Sequence, residues 1–99
     1  MKHIMEFNDV IKKGDCIVMF SSKQCQPCKI VTPILEELTK EAKIKFLKIN
    51  VEESPKIATK YSVMSVPSTF LFKNGKVIKN IYGNPGKVKL RKLVNNLKN

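Results

Sequence analysis

The sequence predicts an α/β fold, a central mixed β-sheet flanked by helices on both faces. Three observations carry that expectation. Cys16-Ile17-Val18-Met19-Phe20 is an unbroken apolar run, the pattern of a strand buried on both faces of a sheet. Strand-like and helix-like segments then alternate, which implies parallel pairing early in the chain. Asn74-Gly75 separates two strand-like runs; both residues accept positive φ, so a hairpin and an antiparallel pair are expected late. No repeat, low-complexity tract or linker intervenes, and residues 1–99 are expected to form one domain.

The elements follow in order. His3 to Met5 reads as a short first strand. Asn8 or Asp9 can cap a short helix through about Lys13, and Gly14 can end it in a left-handed conformation. The Cys16 to Phe20 strand comes next. Ile30, Ile34, Leu35, Leu38 and Ala42 then recur at helical spacing, with Glu36, Glu37, Lys40 and Lys43 between them. That is an amphipathic helix from about Pro27 to Lys43, with a kink expected at Pro33. Lys45 to Val51 reads as a second buried strand. Ser54 and Pro55 supply a cap and a first position for a short helix ending near Tyr61. Ser68 to Lys73 and Lys76 to Tyr82 form the hairpin. From about Lys87, Val88, Leu90, Leu93, Val94 and Leu97 build a last amphipathic helix. The expected order is β-α-β-α-β-α-β-β-α.

With 42% hydrophobic residues, this small chain can bury a core without structural disulfides or metal. Its charge is unusual: nineteen basic residues against eight acidic ones give +11, and Arg91 is the single arginine. Nucleic-acid sites recruit the arginine fork and set aromatics beside it. Here lysines are scattered from Lys2 to Lys98, so no specific nucleic-acid partner is expected. The charge is either a solvated lysine surface or a means of steering toward acidic partners, with rates that fall with salt. Three cysteines are an odd count, which suits a reducing compartment better than a fully paired secreted framework. The N-terminal residues lack an apolar stretch of signal-peptide length, and the longest apolar run is too short to span a membrane. A cytoplasmic, soluble monomer with no membrane partner is expected.

Cys25-Gln26-Pro27-Cys28 carries the chemistry. Two thiols separated by two residues, where a strand hands over to a helix, can close and open as a redox switch. Cys25 falls at the mouth of the long helix, where free N–H groups and the positive dipole end favour a thiolate. Lys23 and Lys29 add positive charge nearby. Cys28, one turn later, is expected on the same side and more buried, suited to resolving a mixed disulfide. The alternative is a zinc half-site drawn from Cys25, Cys28, Cys16 and His3, but the second closely spaced ligand pair is missing. Cys16 lies within an apolar strand and reads as a small buried hydrophobe, with a regulatory or dimer-forming thiol as the other reading. His3 reads as exposed and uninvolved.

These residues resemble the thioredoxin family. Cys25-Gln26-Pro27-Cys28-Lys29 followed by Pro33 is similar to that family's CGPCK-x-x-x-P, with Gln for Gly. Ser65-Val66-Pro67-Ser68 resembles its cis-proline loop, and Phe72-Lys73-Asn74-Gly75-Lys76 its hairpin. Gly83 falls where the family keeps a glycine beside the substrate groove. The resemblance implies a thioredoxin-like fold and a protein-disulfide reductase in which Cys25 attacks and Cys28 resolves. It implies a cis Pro67 and a contact patch of Gln26, Pro27, Val66, Pro67, Tyr82 and Gly83, with the Val66 backbone pairing to an extended substrate. It implies disulfide-containing client proteins, recycling by a flavoprotein thioredoxin reductase, and no cofactor or metal beyond the reversible Cys25–Cys28 disulfide.

The departures matter as much. Gln24 stands where the family has tryptophan, and the chain has no Trp. Ser21 and Ser22 stand where an aromatic and a small residue are typical. Met19 aligns with the family's buried aspartate, which relays a proton for the resolving thiol. Met19 cannot do so, leaving water or Lys48 to deprotonate Cys28. Lys48 interrupts Phe46-Leu47-Lys48-Ile49. Half-buried and unpaired it would be a candidate base; snorkelling to solvent it would be an inert charge. Lys29 is a second candidate for tuning the thiols. Two other functions stay in view. A dedicated-partner protein is compatible with the altered groove, although the glutaredoxin CPYC motif is absent. A binding subunit with incidental redox activity is compatible with the missing aspartate and tryptophan.

Overall fold

Strand β1, Asp15–Ser21, is buried on both faces and organises everything else. The structure, a computed structural model, describes the backbone of residues 2–98 and the side chains of residues 7–97. The other elements are α1 (Lys2–Lys12), α2 (Gln26–Ala42), β2 (Lys45–Asn50), α3 (Pro55–Lys60), β3 (Ser68–Lys73), β4 (Lys76–Tyr82) and α4 (Lys87–Lys98). The sheet order is β2-β1-β3-β4. β1 runs parallel to β2 and antiparallel to β3, and β3 and β4 form the hairpin. The mixed sheet is thus the one expected.

Alternation along β1 divides the core into two layers. Ile17 and Met19 join Leu71 on one face, under Val31, Leu35 and Leu38 of α2 and Leu90, Leu93, Val94 and Leu97 of α4. Cys16, Val18 and Phe20 join Phe70 and Phe72 on the other, under Phe7 and Ile11 of α1 and Ile57 and Ala58 of α3. Tyr61 closes that layer, edge-on to Phe7, Phe70 and Phe72 with centroids 5.6, 5.8 and 5.5 Å away. The turn behaves as its sequence demands: Asn74 and Gly75 take φ of 51° and 85°. Asn74 also clasps Gly14, accepting its N–H at Oδ1 (2.7 Å) and donating its own N–H to the Gly14 carbonyl (2.9 Å).

Several expectations are corrected. His3 to Met5 belong to α1, not to a strand. Phe7 and Ile11, one helical turn apart, lie on the same face of α1 and are both buried against the sheet. Asn8 and Asp9 consequently lie in mid-helix and are exposed, not capping. β2 is an edge strand rather than one buried on both faces: Ile49 is buried, Phe46 and Leu47 half-buried, and Lys45 and Lys48 exposed. Along α2 the buried face is Cys28, Val31, Leu35, Leu38 and Thr39, and Ile30 points to solvent. Ser54 does occupy the N-cap of α3, but its side chain makes no capping bond.

Two buried polar groups have consequences for stability. The Cys16 thiol has no exposed surface, and burial pushes its pKa up to about 11, against a smaller opposing pull from Lys45. In an unfolded chain the thiol ionises near its ordinary value of 9.0, so between that value and about 11 the unfolded state holds fewer protons. Stability present at neutral pH is therefore lost as pH rises through this window. The Cys16→Ala protein is expected to lack this component. Denaturant melts of the two proteins from neutral pH to above pH 9 should converge, by up to about 1.4 kcal/mol per pH unit. Thr69 presents the second case: its Oγ1 is buried with no hydrogen-bond partner. Thr69→Val keeps the shape and removes the unsatisfied hydroxyl, so a gain of about 1 kcal/mol in the denaturation free energy is expected.

Candidate active site

Cys25 is the N-cap of α2, directly beyond the end of β1. A helix begins with N–H groups that have no partner within it. Here one of them is aimed at sulfur: the Cys28 N–H donates to Cys25 Sγ at 3.1 Å. Pro27, in the first turn, lacks an N–H and fits the place where none is needed. Cys25 and Cys28 are joined as a disulfide with Cα atoms 5.2 Å apart. Both are buried, Cys25 at 6% and Cys28 at 3% exposure, so the expected difference between them is small. Gln26 and Pro27 between them are exposed.

At the same end of the sheet, where Phe20 pairs with Ser68, lies the loop before β3. The Val66–Pro67 peptide bond is cis, as the resemblance implied. Pro67 is buried, and half-buried Val66 packs against both core layers, including the one that holds Cys25 and Cys28. The end of β4 comes to the same place. Ser68 pairs with Tyr82, and the Gly83 N–H donates to the Pro67 carbonyl at 2.9 Å. Gly83 has φ of 78°, where a side chain would strain the backbone, and nothing lies within 4 Å of the position its Cβ would take. Tyr82 is half-exposed, with its hydroxyl receiving the Asn80 amide at 3.2 Å. Thus Pro67, Tyr82 and Gly83 meet at one end of the hairpin, and Val66 joins them to the cysteine layer.

A cleft of about 520 Å³ opens on the other side of Cys28. Lys29 and Lys48 both line it, together with Ser21, Thr32 and Asn50. Lys48 is exposed, so the premise that made it a candidate base, half-burial, is not met. Met19 is fully buried in the layer that contains Cys28. Thr32, one turn after Cys28, donates its hydroxyl to the Cys28 carbonyl at 2.7 Å and lies 3.8 Å from Met19 Sδ. Sequence reasoning passed over Thr32; its place four residues after Cys28 on a helix was the available signal.

The zinc alternative is overturned. Cys16 faces the layer opposite Cys25 and Cys28, because residues of odd and even number on β1 point to opposite sides. Among the described residues no group of three His, Cys, Asp or Glu could hold a metal ion. The His3 side chain lies outside the described residues. Among them, too, no helix is long and apolar enough to cross a membrane.

Comparison with known proteins agrees with this geometry. The thioredoxin family model matches residues 2–97. A thioredoxin of Rickettsia bellii is 44% identical over 73 residues, covering 70% of both chains. One from Staphylococcus aureus is 39% identical over 80 residues, covering 79% of this chain and 77% of its own. Among solved structures, oxidised mitochondrial thioredoxin 3 of Saccharomyces cerevisiae superposes with a TM-score of 0.85 at 32% identity, over 94% of this chain and 89% of that one. A mutant thioredoxin from Halobacterium salinarum gives 0.90 at 26% identity, over 96% and 85%. A family match over nearly the whole chain, with a disulfide closed across the first turn of a helix, leads to one conclusion: the chain belongs to the thioredoxin family and is a thiol-disulfide oxidoreductase of the protein-disulfide reductase type.

Proposed function

We propose that Cys25 is the attacking thiol and Cys28 the resolving thiol in the reduction of protein disulfides. The observation that carries this reading is the Cys28 N–H held 3.1 Å from Cys25 Sγ at the N-cap of α2. That donor and the helix dipole stabilise negative charge on Cys25 and not on Cys28. In the reduced protein, the Cys25 thiolate attacks one sulfur of a client disulfide. The other client sulfur leaves as a thiolate and takes a proton from water. Cys28 then loses its proton and attacks Cys25 Sγ, releasing the second client thiol and closing the disulfide. Two electrons pass to the client, and a flavoprotein thioredoxin reductase returns them.

Gln26, Pro27, Val66, Pro67, Tyr82 and Gly83 form the client-binding patch in this reading, with the Val66 backbone adding a client strand. Support comes from the exposure of Gln26, Pro27 and Tyr82 and from the bond between Gly83 and Pro67. The Cys28 proton leaves through solvent in the adjoining cleft, where Lys48 and Lys29 contribute positive charge. The protein acts as a monomeric electron carrier in cytoplasmic redox homeostasis, one domain over residues 1–99, with no specific nucleic-acid or membrane partner. The odd cysteine, Cys16, being buried and free, is compatible with a reducing compartment. A second reading, a dedicated-partner or binding subunit, is favoured by one observation: apolar Met19 occupies the layer behind Cys28. Biological function retained in Cys25→Ser would select it.

Wild-type protein is expected to accelerate the reduction of insulin disulfides by dithiothreitol. Cys25→Ser should fall to the uncatalysed rate, and Cys28→Ser should accumulate a mixed disulfide visible on a non-reducing gel. Acceleration that survives in Cys25→Ser would defeat the assignment. Met19→Asp places a general base behind Cys28 and should speed release of the mixed disulfide by roughly tenfold or more in stopped-flow experiments. Burial raises the pKa of such a carboxyl, so the substitution is tolerated best in acid. The penalty grows as pH rises past the ordinary carboxylate range, to about 3 kcal/mol for a rise of about two units. An unchanged release rate would remove proton transfer from the limiting step.

A further inference from the structure

The lysines of α4 do not share one environment. Lys87 and Arg91 turn toward α2, where they pair with Glu37 at 3.8 Å and Glu41 at 3.4 Å. Leu90, Val94 and Leu97 are buried beneath the helix. A third stripe, Lys89, Lys92, Leu93 and Asn96, has the spacing of a single helix face and looks across at β4. From β4, Lys79 and Ile81 complete a cleft of about 430 Å³. Among the described residues, no acidic side chain lines it, and no carboxylate lies within salt-bridge distance of Lys79, Lys89 or Lys92. Three like charges around the apolar floor of Ile81 and Leu93 repel one another, and nothing within the described fold offsets them.

The cleft's position gives it a use. Tyr82 lies on its wall, and the next residue, Gly83, is bonded to Pro67. The cleft therefore continues the client-binding patch away from the cysteines. β4 is also an edge strand, its outer side unpaired, with Val77, Ile78 and Tyr82 half-exposed. A chain lying across Pro67 and past Tyr82 enters a space with three ammonium groups and an apolar base. The complementary segment is an acidic peptide: carboxylates for the lysines, side-chain methylenes for Ile81 and Leu93. Nucleic acid fits less well, since the described cleft has no arginine fork and a single aromatic ring, Tyr82.

We propose that this cleft receives an acidic stretch flanking the disulfide of a client protein, and so selects clients by charge next to the reacting cysteine. The inference rests on the reading of Pro67, Tyr82 and Gly83 as client-binding residues. It assigns part of the +11 charge to a specific place rather than to the surface at large.

The test uses two disulfide peptides of equal length, one with a run of Asp and Glu beside a cysteine and one with Ser and Gln there. Their kcat/KM values are compared for wild type, for the triple variant Lys79→Glu, Lys89→Glu, Lys92→Glu, and for a control with the same number of reversals at exposed sites elsewhere, Lys12→Glu, Lys40→Glu, Lys56→Glu. Circular dichroism confirms that each is folded. Wild type is expected to prefer the acidic peptide by about tenfold at low salt, the sum of three modest ion pairs, with the preference lost near 0.5 M salt. The cleft variant should lose or invert the preference, and the control should keep most of it. Equal loss in the control would mean long-range steering by net charge and would overturn the proposal, as would a wild type that reduces both peptides equally. Single-stranded DNA that inhibits as well as the acidic peptide would reassign the cleft and overturn it too. A wild type that reduces neither peptide would instead bring down the reductase reading beneath it.

Discussion

The burial of β1 on both faces is the constraint from which the rest of this protein is built. A strand with no polar position between Cys16 and Phe20 cannot lie at a sheet edge or face water, so it takes a central place and needs a helical layer on each side. The chain leaves that strand at Ser21 and starts α2 at Gln26, and the short connection carries Cys25 to the helix mouth. The N–H groups left over by helix geometry then meet the sulfur. The thiol's chemistry is thus a consequence of where a buried strand ends, not a separate device added to the fold. On the far side, β3 pairs with β1 and delivers the Pro67 loop and the end of β4 to the same end of the sheet.

Two cysteines, one within that strand and one a few residues beyond its end, show how position decides the fate of one residue type. Cys16 sits where β1 is covered by α1 and α3, without a helix N-terminus to stabilise charge, and burial holds it as a neutral thiol. Cys25 is also buried, yet it receives an N–H from the turn it begins. Burial alone raises a thiol's pKa; burial with an aimed donor and a dipole lowers the cost of the thiolate. The sequence spacing of Cys25 and Cys28 made the second case legible, because the helix that follows is strongly periodic. The neutrality of Cys16 was legible as well, from the apolar run around it.

What could not be read comes from contacts distant in sequence. The N-terminal segment does carry Ile4, Phe7, Val10 and Ile11 at helical spacing, but the layer to be covered is declared only by Phe7 and Ile11 docking beside Phe72, more than sixty residues away along the chain. Ile30 and Val31 are both apolar, and only the position of the sheet decides that Val31 is inside. Lys48 is anomalous only for a β2 covered on both faces. At the edge of the sheet a lysine has solvent within reach, and the anomaly disappears. The cleft beside Cys28 is half legible in the sequence: Lys29 and Lys48 stand out there, whereas Thr32 and Asn50 enter only through the packing of α2 against β2. Strand interiors and turn residues carry their own evidence; edges and helix rotations do not.

Met19 then poses a question of balance rather than of defect. A carboxylate behind Cys28 would help move a proton but would have to be buried in a layer that is otherwise apolar, alongside Ile17, Leu35 and Leu71. Met19 gives that layer continuous packing, and in the proposed mechanism the Cys28 proton leaves through solvent in the neighbouring cleft. The first cysteine is unaffected by the exchange, since its donor comes from backbone that any side chain at position 19 leaves in place. In the proposed mechanism attack and resolution are therefore separable: the helix terminus bears on one, the layer under Cys28 on the other. In the proposed mechanism Met19 leaves the donor to the attacking thiol in place and bears only on the resolving step, where the client can hold or release the mixed disulfide.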